Sequence, residues 1–274
     1  MSEHPKTRLV LADVDGTLVT NEKVLTEEAK AAARELSEAG VELAITSGRP
    51  PRGMRMLIEP LQLTGAIAGF NGGAVVHPDL SVIECHALDA AVAAEALRLI
   101  LDKGLDAWVY TESRWLIRDI DAPHVARERG TVKFDPDVVA SFTDAHLAQA
   151  IKIVGVSDDS LRVVSCEAAA QEALEGRASA TRSQSYYLDV THPQANKGAV
   201  VDTLARLAHI SPQEIAAIGD GPNDVLMFRK SSFSIAMGNA SNEVKAQAQA
   251  VTDNNENEGF AKAMRKYILS AAAA

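Results

Sequence analysis

The sequence predicts an α/β fold, a largely parallel sheet interrupted by an inserted α+β unit. Three observations predict it. Both ends of the chain read as short apolar runs alternating with helical patterns, the grammar of strand–helix–strand crossovers. Those runs, such as Leu9–Ala12 and Ile215–Ile218, are nearly continuous, as expected of parallel strands buried on both faces. The stretch between the ends reads instead as paired hairpins with helices. The expected division is residues 1–83 and 190–274 for the sheet core and residues 84–189 for the insertion. At 274 residues, 47% hydrophobic and 23% charged, the chain is long and apolar enough for one large domain or two modest ones.

The elements follow in order. Leu9–Ala12 is the first strand, and Gly16 in the following Asp13-Val14-Asp15-Gly16-Thr17-Leu18 permits a sharp turn. Thr26 is expected to cap a helix with Glu27 and Glu28 in its first turn, Ala32, Ala33, Leu36 and Ala39 at helical spacing, and Gly40 as its stop. Val41–Ile45 is a second strand that ends at Thr46-Ser47-Gly48-Arg49-Pro50, and Ala66–Phe70 a third that ends at Asn71-Gly72-Gly73. In the insertion, Asp89 caps an Ala-rich helix stopping at Gly104, and Asp106–Tyr110 with Arg114–Arg118 forms a hairpin. Ala150–Val156 then reads as a strand, Ser160–Leu174 as a helix, and Ala178–Arg182 with Tyr186–Val190 as a second hairpin. Lys197–Ala208 is helical, and Ser211-Pro212-Gln213-Glu214 is a capping box with Pro at the first helical position. Ile215–Ile218 is a strand ending at Gly219-Asp220-Gly221-Pro222-Asn223-Asp224, and Ser234–Met237 is another, with helices from about Asn242 and Glu258.

Charge and composition exclude some classes. The formal charge is −10, from 27 Lys+Arg against 37 Asp+Glu, which argues against a nucleic-acid partner, since phosphate backbones need a basic face. A small anionic substrate is compatible, because a local cation or a metal outweighs the global field. Cys85 and Cys166 have no metal-ligand spacing and read as inert thiols, which suits a reducing, cytoplasmic setting. Met1–Thr7 is polar and lacks a signal peptide's apolar stretch, no run is long enough to span a membrane, and Ala271–Ala274 reads as a frayed tail. No heptad or exposed apolar stripe specifies an assembly, so a monomer or homodimer is expected.

Polar groups stand at four strand ends: Asp13/Asp15, Ser47-Gly48, Asn71-Gly72 and Asp220/Asn223/Asp224. Lys197 opens a helix just after the insertion. If the strands lie side by side, these groups converge on one sheet edge, the crevice where open α/β sheets bind ligands. Any one of them alone is explained by a turn or a cap. Together they suit a hard cation such as Mg²⁺, with Asp13 and Asp220 supplying carboxylates and a backbone carbonyl near Asp15 a third oxygen. A carboxylate can attack phosphorus to give an aspartyl-phosphate. The metal, Lys197, the Ser47 hydroxyl and backbone N–H groups would neutralise the phosphoryl charge. A carboxylate two residues on from the nucleophile can protonate the leaving group and then deprotonate water.

The chain resembles the haloacid dehalogenase-like (HAD) phosphohydrolase superfamily, and within it the Cof-like sugar-phosphatase group. Asp13-Val14-Asp15-Gly16-Thr17-Leu18 is similar to the first family motif, and Ile45-Thr46-Ser47-Gly48-Arg49-Pro50 to the second, with Ser47 where Thr is common. Asn196-Lys197-Gly198 resembles the third and Gly219-Asp220-Gly221-Pro222-Asn223-Asp224 the fourth, and Phe70-Asn71-Gly72-Gly73 resembles the group's loop after its third strand. The resemblance implies a Rossmann-like core with a C2-type cap, and a Mg²⁺-dependent phosphatase acting on small phosphorylated metabolites. Sugar phosphates are the expected substrates, with cofactor phosphates as a further class. It implies Asp13 as nucleophile and Asp15 as general acid/base. Mg²⁺ would rest on Asp13, the Asp15 backbone carbonyl and Asp220, with the phosphoryl group on Ser47, Gly48 and Lys197. Asn223 would touch the phosphate or a metal-bound water, and Asp224 would orient Lys197 or such a water.

Other residues invite functional readings that the pattern does not favour. Trp108, Tyr110, Trp115, Tyr186 and Tyr187 alternate as half-buried strands do and are assigned to the cap core. Arg114, Arg118 and Arg182 are assigned to solvated faces, His192 to a surface or loop, Arg49 to bracing the core, and Asn254-Asn255-Glu256-Asn257 to a polar loop. Two alternatives to a phosphatase share the fold. One is a phosphomutase or phosphotransferase that passes the phosphoryl group to a second hydroxyl, and the other a non-catalytic phospholigand-binding protein.

Overall fold

The structure is a computed structural model and describes residues 6–270. The Ala271–Ala274 tail and most of the polar Met1–Thr7 start therefore lie outside the described residues.

The chain first builds β1 (Leu9–Asp13), β2 (Glu42–Thr46), β3 (Ile67–Gly69), β4 (Ala74–Val76) and β5 (Val82–Cys85). It then crosses to a second sheet, made of β6 (Asp106–Tyr110), β7 (Trp115–Ile117), β8 (Asp137–Val138), β9 (Lys152–Val156), β10 (Ser179–Gln184) and β11 (Tyr187–Thr191). It returns for β12 (Ile215–Gly219), β13 (Phe233–Ala236) and β14 (Ala250–Val251). The core sheet runs β14-β13-β12-β1-β2-β3-β4-β5, its strands parallel except for β4, which runs antiparallel to β3 and β5. The cap sheet runs β10-β11-β9-β6-β7-β8 and is antiparallel except where β7 meets β8. The architecture is thus the expected α/β one.

Both faces of the core sheet are covered, as a parallel sheet requires. One face packs on helix Glu27–Glu38 and the C-terminal turns around Phe260, Met264 and Ile268; the other packs on helix Lys197–Ala208 and Met227 and Phe228. Thr26 caps the first helix by accepting from the Ala29 N–H, and Gly40 ends it at φ +72°, as the sequence indicates. The cap sheet turns its outer face to helices Ala90–Asp102 and Ser160–Ala173. Its inner face, with Trp108, Tyr110, Trp115 and Val154, packs on Phe70 and Ala74 of the core and on helix Val125–Val132. Among the described residues, no helix is long and apolar enough to cross a membrane.

Some expectations need correction. The cuts expected at residues 84 and 189 fall inside strands: β5 runs to Cys85 in the core sheet, and β11 runs to Thr191 in the cap sheet. The β4–β5 hairpin was not anticipated because its outer strand is half exposed and mixes Val and Ile with Glu and Cys. The Ser211 capping box is present but closes a single 3₁₀ turn, Pro212–Glu214, before β12. Helix Val125–Val132 follows His124 at φ 68°, with no side-chain cap to announce it.

Candidate active site

Register alone brings the motifs together. Asp13 ends β1 opposite Thr46 of β2, and Ala12 lies opposite Ile218 of β12, one residue before Gly219. Thr46 in turn lies opposite Ala68 of β3. Asp13, Ser47, Asn71 and Asp220 therefore leave adjacent strand ends on one edge. This is also where the strand order reverses direction about β1, the switch point where a crevice opens.

Lys197 is the hub. Its Nζ donates to Asp13 Oδ1 at 2.5 Å and to Asp224 Oδ1 at 2.6 Å, and its side chain is 2% exposed. Asn196 caps the helix behind it by accepting from the Ala199 N–H, which fixes where Lys197 leaves the backbone. Asp224 Oδ2 accepts from the backbone N–H groups of Asp220 and Gly221 at 2.9 and 2.8 Å. Both oxygens of this fully buried carboxylate are thus spoken for, and Asp224 orients Lys197 and the β12 turn. Gly219 permits the close approach, since a Cβ there would lie 2.4 Å from Asp224 Oδ2. Burial would lower the Lys197 pKa, but Asp13 and Asp224 outweigh it and raise it.

Asp220 accepts from Thr17 Oγ1 at 3.2 Å and from Asn239 Nδ2 at 3.0 Å. Gly16 makes room for it: its φ is +86°, and a Cβ there would sit 2.4 Å from Asp220 Oδ2. Asp13, Asp220 and Asp224 present carboxylate oxygens within 4.8 Å of one another. Burial raises the Asp13 pKa well above the carboxylate range, with Asp224 and Asp220 adding to it against the opposing pull of Lys197. Burial and the Asp224 charge push Asp220 up to about 6. One ammonium does not balance three clustered carboxylates, and the remaining donors are hard oxygens, so the residues present fit a divalent cation such as Mg²⁺. Since Asp224 is already saturated, Asp13 and Asp220 are the carboxylates with capacity for a metal.

A prediction follows from Asp220. A folded pKa of about 6 against an ordinary 3.8 means that its contribution to stability is full below pH 3.8 and is lost as pH rises through 6. Asp220→Asn should therefore raise the Tm of metal-free protein at pH 7, and the gain should vanish near pH 4. A pH series of thermal unfolding curves in EDTA measures this, and a Tm difference flat with pH would contradict it.

Asp15 faces another way. Arg49 donates to it twice, Nε to Oδ2 at 2.8 Å and Nη2 to Oδ1 at 2.6 Å, and Lys23 Nζ reaches Oδ1 at 2.8 Å. Burial would push its pKa up, but these cations overcome it and hold the carboxyl down at about 2. Ser47 Oγ also donates to Asp15 Oδ2, at 3.3 Å, and accepts from the Arg49 N–H at 3.1 Å. Gly48 lies beside Asn71, whose φ of 57° turns its amide toward Asn223; Asn223 Nδ2 donates to Asn71 Oδ1 at 3.0 Å. The eight residues that the sequence assigns to the site, Asp13, Asp15, Ser47, Gly48, Lys197, Asp220, Asn223 and Asp224, line one cleft of about 400 Å³ together with Asn71 and Gly221.

Several contributors escaped the sequence reading. Arg49 clamps Asp15 rather than merely bracing the core, and Lys23 completes the clamp. Asn239 ties Asp220 to the Gly16 carbonyl, and Asn255 in the polar 254–257 loop donates its N–H to Asn239. The signal available for Asn239 was its place just after the β13 strand, at the same sheet edge. Arg114, Arg118 and Arg182 do pair on exposed faces, with Asp137, Asp106 and Glu167. His192 stacks on His86, the rings 5.5 Å apart, outside the cleft. Trp108, Tyr110 and Trp115 are core residues as expected, but Trp108, Tyr186 and Tyr187 also line the cleft.

A putative phosphatase of Haemophilus influenzae is 26% identical over 93% of this chain and 95% of its own length. A 5-amino-6-(5-phospho-D-ribitylamino)uracil phosphatase of Bacillus subtilis is 26% identical over 96% of both chains. A solved haloacid dehalogenase-like hydrolase from Bacteroides thetaiotaomicron superposes with a TM-score of 0.88, at 25% identity, over 95% of this chain and 99% of that one. The family model of haloacid dehalogenase-like hydrolases matches residues 10–264, nearly the whole described chain. With its motif residues gathered at one sheet edge beneath an inserted cap, this protein belongs to the haloacid dehalogenase-like hydrolase family.

Proposed function

We propose that the protein is a Mg²⁺-dependent phosphatase that hydrolyses small phosphomonoesters through an aspartyl-phosphate at Asp13. One observation carries this reading above the others: the Asp13 carboxylate stands buried at the sheet edge, gripped by Lys197 and beside Asp220, on a cleft that the cap sheet roofs. Asp13 attacks phosphorus, the ester oxygen leaves with a proton from Asp15, and Asp15 then takes a proton from the water that hydrolyses the acyl phosphate. Lys197, Ser47 Oγ and the Gly48 N–H hold the phosphoryl oxygens. Asp13, Asp220 and the Asp15 backbone oxygen would hold Mg²⁺, which would supply further positive charge beside those oxygens. Asn223 fixes the loop around the phosphoryl site through Asn71. The cap excludes bulk water.

Asp15 has no proton to give while Arg49 and Lys23 hold it as an anion. Its work as an acid requires the carboxyl to leave Arg49 for the ester oxygen. Asp15→Asn should then lower turnover by about 10²- to 10⁴-fold, the span of a general acid–base group. It should also lower the Tm, because the Arg49 side chain, 4% exposed, loses its counter-ion. Rates and melting curves on one preparation check both, and an unchanged rate would remove Asp15 from the chemistry.

The relative that acts on a phosphorylated ribitylamino-uracil supports a small metabolite with a sugar-like chain as substrate. The test is phosphate release from a panel of sugar, nucleotide and cofactor phosphates, each with Mg²⁺ and with EDTA. Release that needs Mg²⁺ is expected. Isomerisation without free phosphate would make the protein a mutase, and ligand-dependent thermal stabilisation with no turnover would make it a binder.

A further inference from the structure

Among the described residues, three buried polar atoms on cleft-lining residues of the cap sheet have no hydrogen-bond partner: Trp108 Nε1, Tyr187 Oη and Asp189 Oδ1. Trp108 is 0% exposed, and Tyr187 and Asp189 are each 8% exposed. Buried polar groups without partners cost free energy, and they are rare enough that a cluster of them demands an account.

The sheet register shows how they are arranged. Trp108 of β6 and Asp189 of β11 both lie opposite Val154 of β9, on its two sides. One cross-strand row thus runs Trp108, Val154, Asp189, with its two ends about 10 Å apart at two strand spacings. Tyr187 stands two residues before Asp189 on the same face. The row has an N–H donor at one end, an acceptor at the other, and an apolar floor between them. Lys152 fixes the acceptor by pairing with Asp189 Oδ2 at 2.6 Å, which leaves Oδ1 over. Glu128, which accepts from Tyr110 Oη at 2.7 Å, adds a second carboxyl to the same cleft.

The chemistry of the row selects its occupant. A hydroxyl can accept from the Trp108 indole and donate to Asp189. An ammonium cannot accept from Trp108. A carboxylate or second phosphate cannot donate to Asp189 Oδ1 and meets that carboxylate as a like charge, while Lys152 is already engaged on Oδ2. A polyhydroxylated chain satisfies both ends and lays its C–H face on Val154.

We propose that Trp108, Tyr187 and Asp189 form a leaving-group subsite that recognises a neutral polyhydroxylated chain and rejects a second anionic group. The proposal rests on the phosphatase reading of the same cleft. All three atoms are closed to water in this arrangement, so the occupant enters with the cap lifted and is covered on its return.

The test uses three substrates: sorbitol phosphate, the phosphogluconate in which the far alcohol is a carboxylate, and nitrophenyl phosphate, which has no polyol. Wild-type protein should prefer sorbitol phosphate to phosphogluconate by about tenfold or more in kcat/KM, as expected for a site built to hydrogen-bond hydroxyls. Asp189→Asn should cut the sorbitol phosphate to nitrophenyl phosphate ratio by about 10- to 100-fold, and Trp108→Phe and Tyr187→Phe should each cut it several-fold. A preference for phosphogluconate overturns the proposal, as does a uniform loss that leaves the ratios within about twofold of wild type. Binding is read separately, by calorimetric titration of sorbitol phosphate onto Asp13→Asn protein with and without Asp189→Asn. About tenfold weaker binding with the second change supports the subsite, and equal binding overturns it. If no substrate releases phosphate, the phosphatase reading fails, and this titration still decides the subsite.

Discussion

Asp13→Asn is expected to abolish phosphate release, by at least about 10⁴-fold, the scale of loss when a nucleophile is removed. The fold should survive it and become no less stable. The carboxylate that makes this site reactive also strains it: burial and the neighbouring Asp224 and Asp220 all disfavour its charge. The amide keeps an acceptor for the Lys197 ammonium, which donates to Asp13 at 2.5 Å, and removes one of three crowded negative groups. The Tm of the variant in EDTA should therefore equal or exceed that of wild type, the usual exchange of stability for activity at a catalytic centre. Stopped-time phosphate assays and a melting curve on one preparation measure both. Wild-type-like hydrolysis would refute Asp13 as nucleophile, and a lowered Tm would show that its attraction to Lys197 outweighs the crowding.

The centre of the site was legible in the sequence because its residues stand where strands stop. Asp13, Ser47, Asn71 and Asp220 each follow an apolar run, and a parallel sheet needs only register to align such ends. Lys197 was legible as the opening of a helix with Asn196 as its cap. What escaped depends on side chains that meet across long separations. Arg49 reaches back to Asp15, Asn239 joins Asp220 to the Gly16 carbonyl, and Lys23 comes from a loop with no pattern of its own. The cap was legible as hairpins, but not as a surface. Alternation put Trp108 and Tyr187 on the buried face correctly, yet the same face also bounds the cleft, and period two cannot distinguish packing from lining. Two strands were lost for a simpler reason: β8 and β14 have two residues each, too short for a periodicity to show.

Lys197→Met should cost about 3–5 kcal/mol of stability, the range for breaking a buried ion pair by removing one partner. Methionine has nearly the volume of the lysine stem, so the loss is electrostatic rather than a cavity. Asp13 and Asp224 would face each other and Asp220 without the cation that now touches both at 2.5 and 2.6 Å. Turnover should disappear with it, since Lys197 also holds the phosphoryl charge in the proposed mechanism. The sign of the pH dependence follows from the shifts. The Lys197 pKa is raised above 10.5, so its stabilisation is fully present below that value and is lost only as pH rises through the raised pKa. In the Met variant the penalty should shrink as pH falls, because protonating Asp13 removes a stranded charge. Urea unfolding at pH 8 and pH 5 measures this, and a penalty that grows toward pH 5 would contradict it. The double variant Asp13→Asn/Lys197→Met separates charge from packing. If charge dominates, Asp13→Asn should stabilise the Lys197→Met protein by more than it stabilises wild type, because it removes one of the two carboxylates left without their cation. Strict additivity of the two single changes would mean that the lysine holds this edge of the sheet by its packing, with the ammonium adding nothing to the fold.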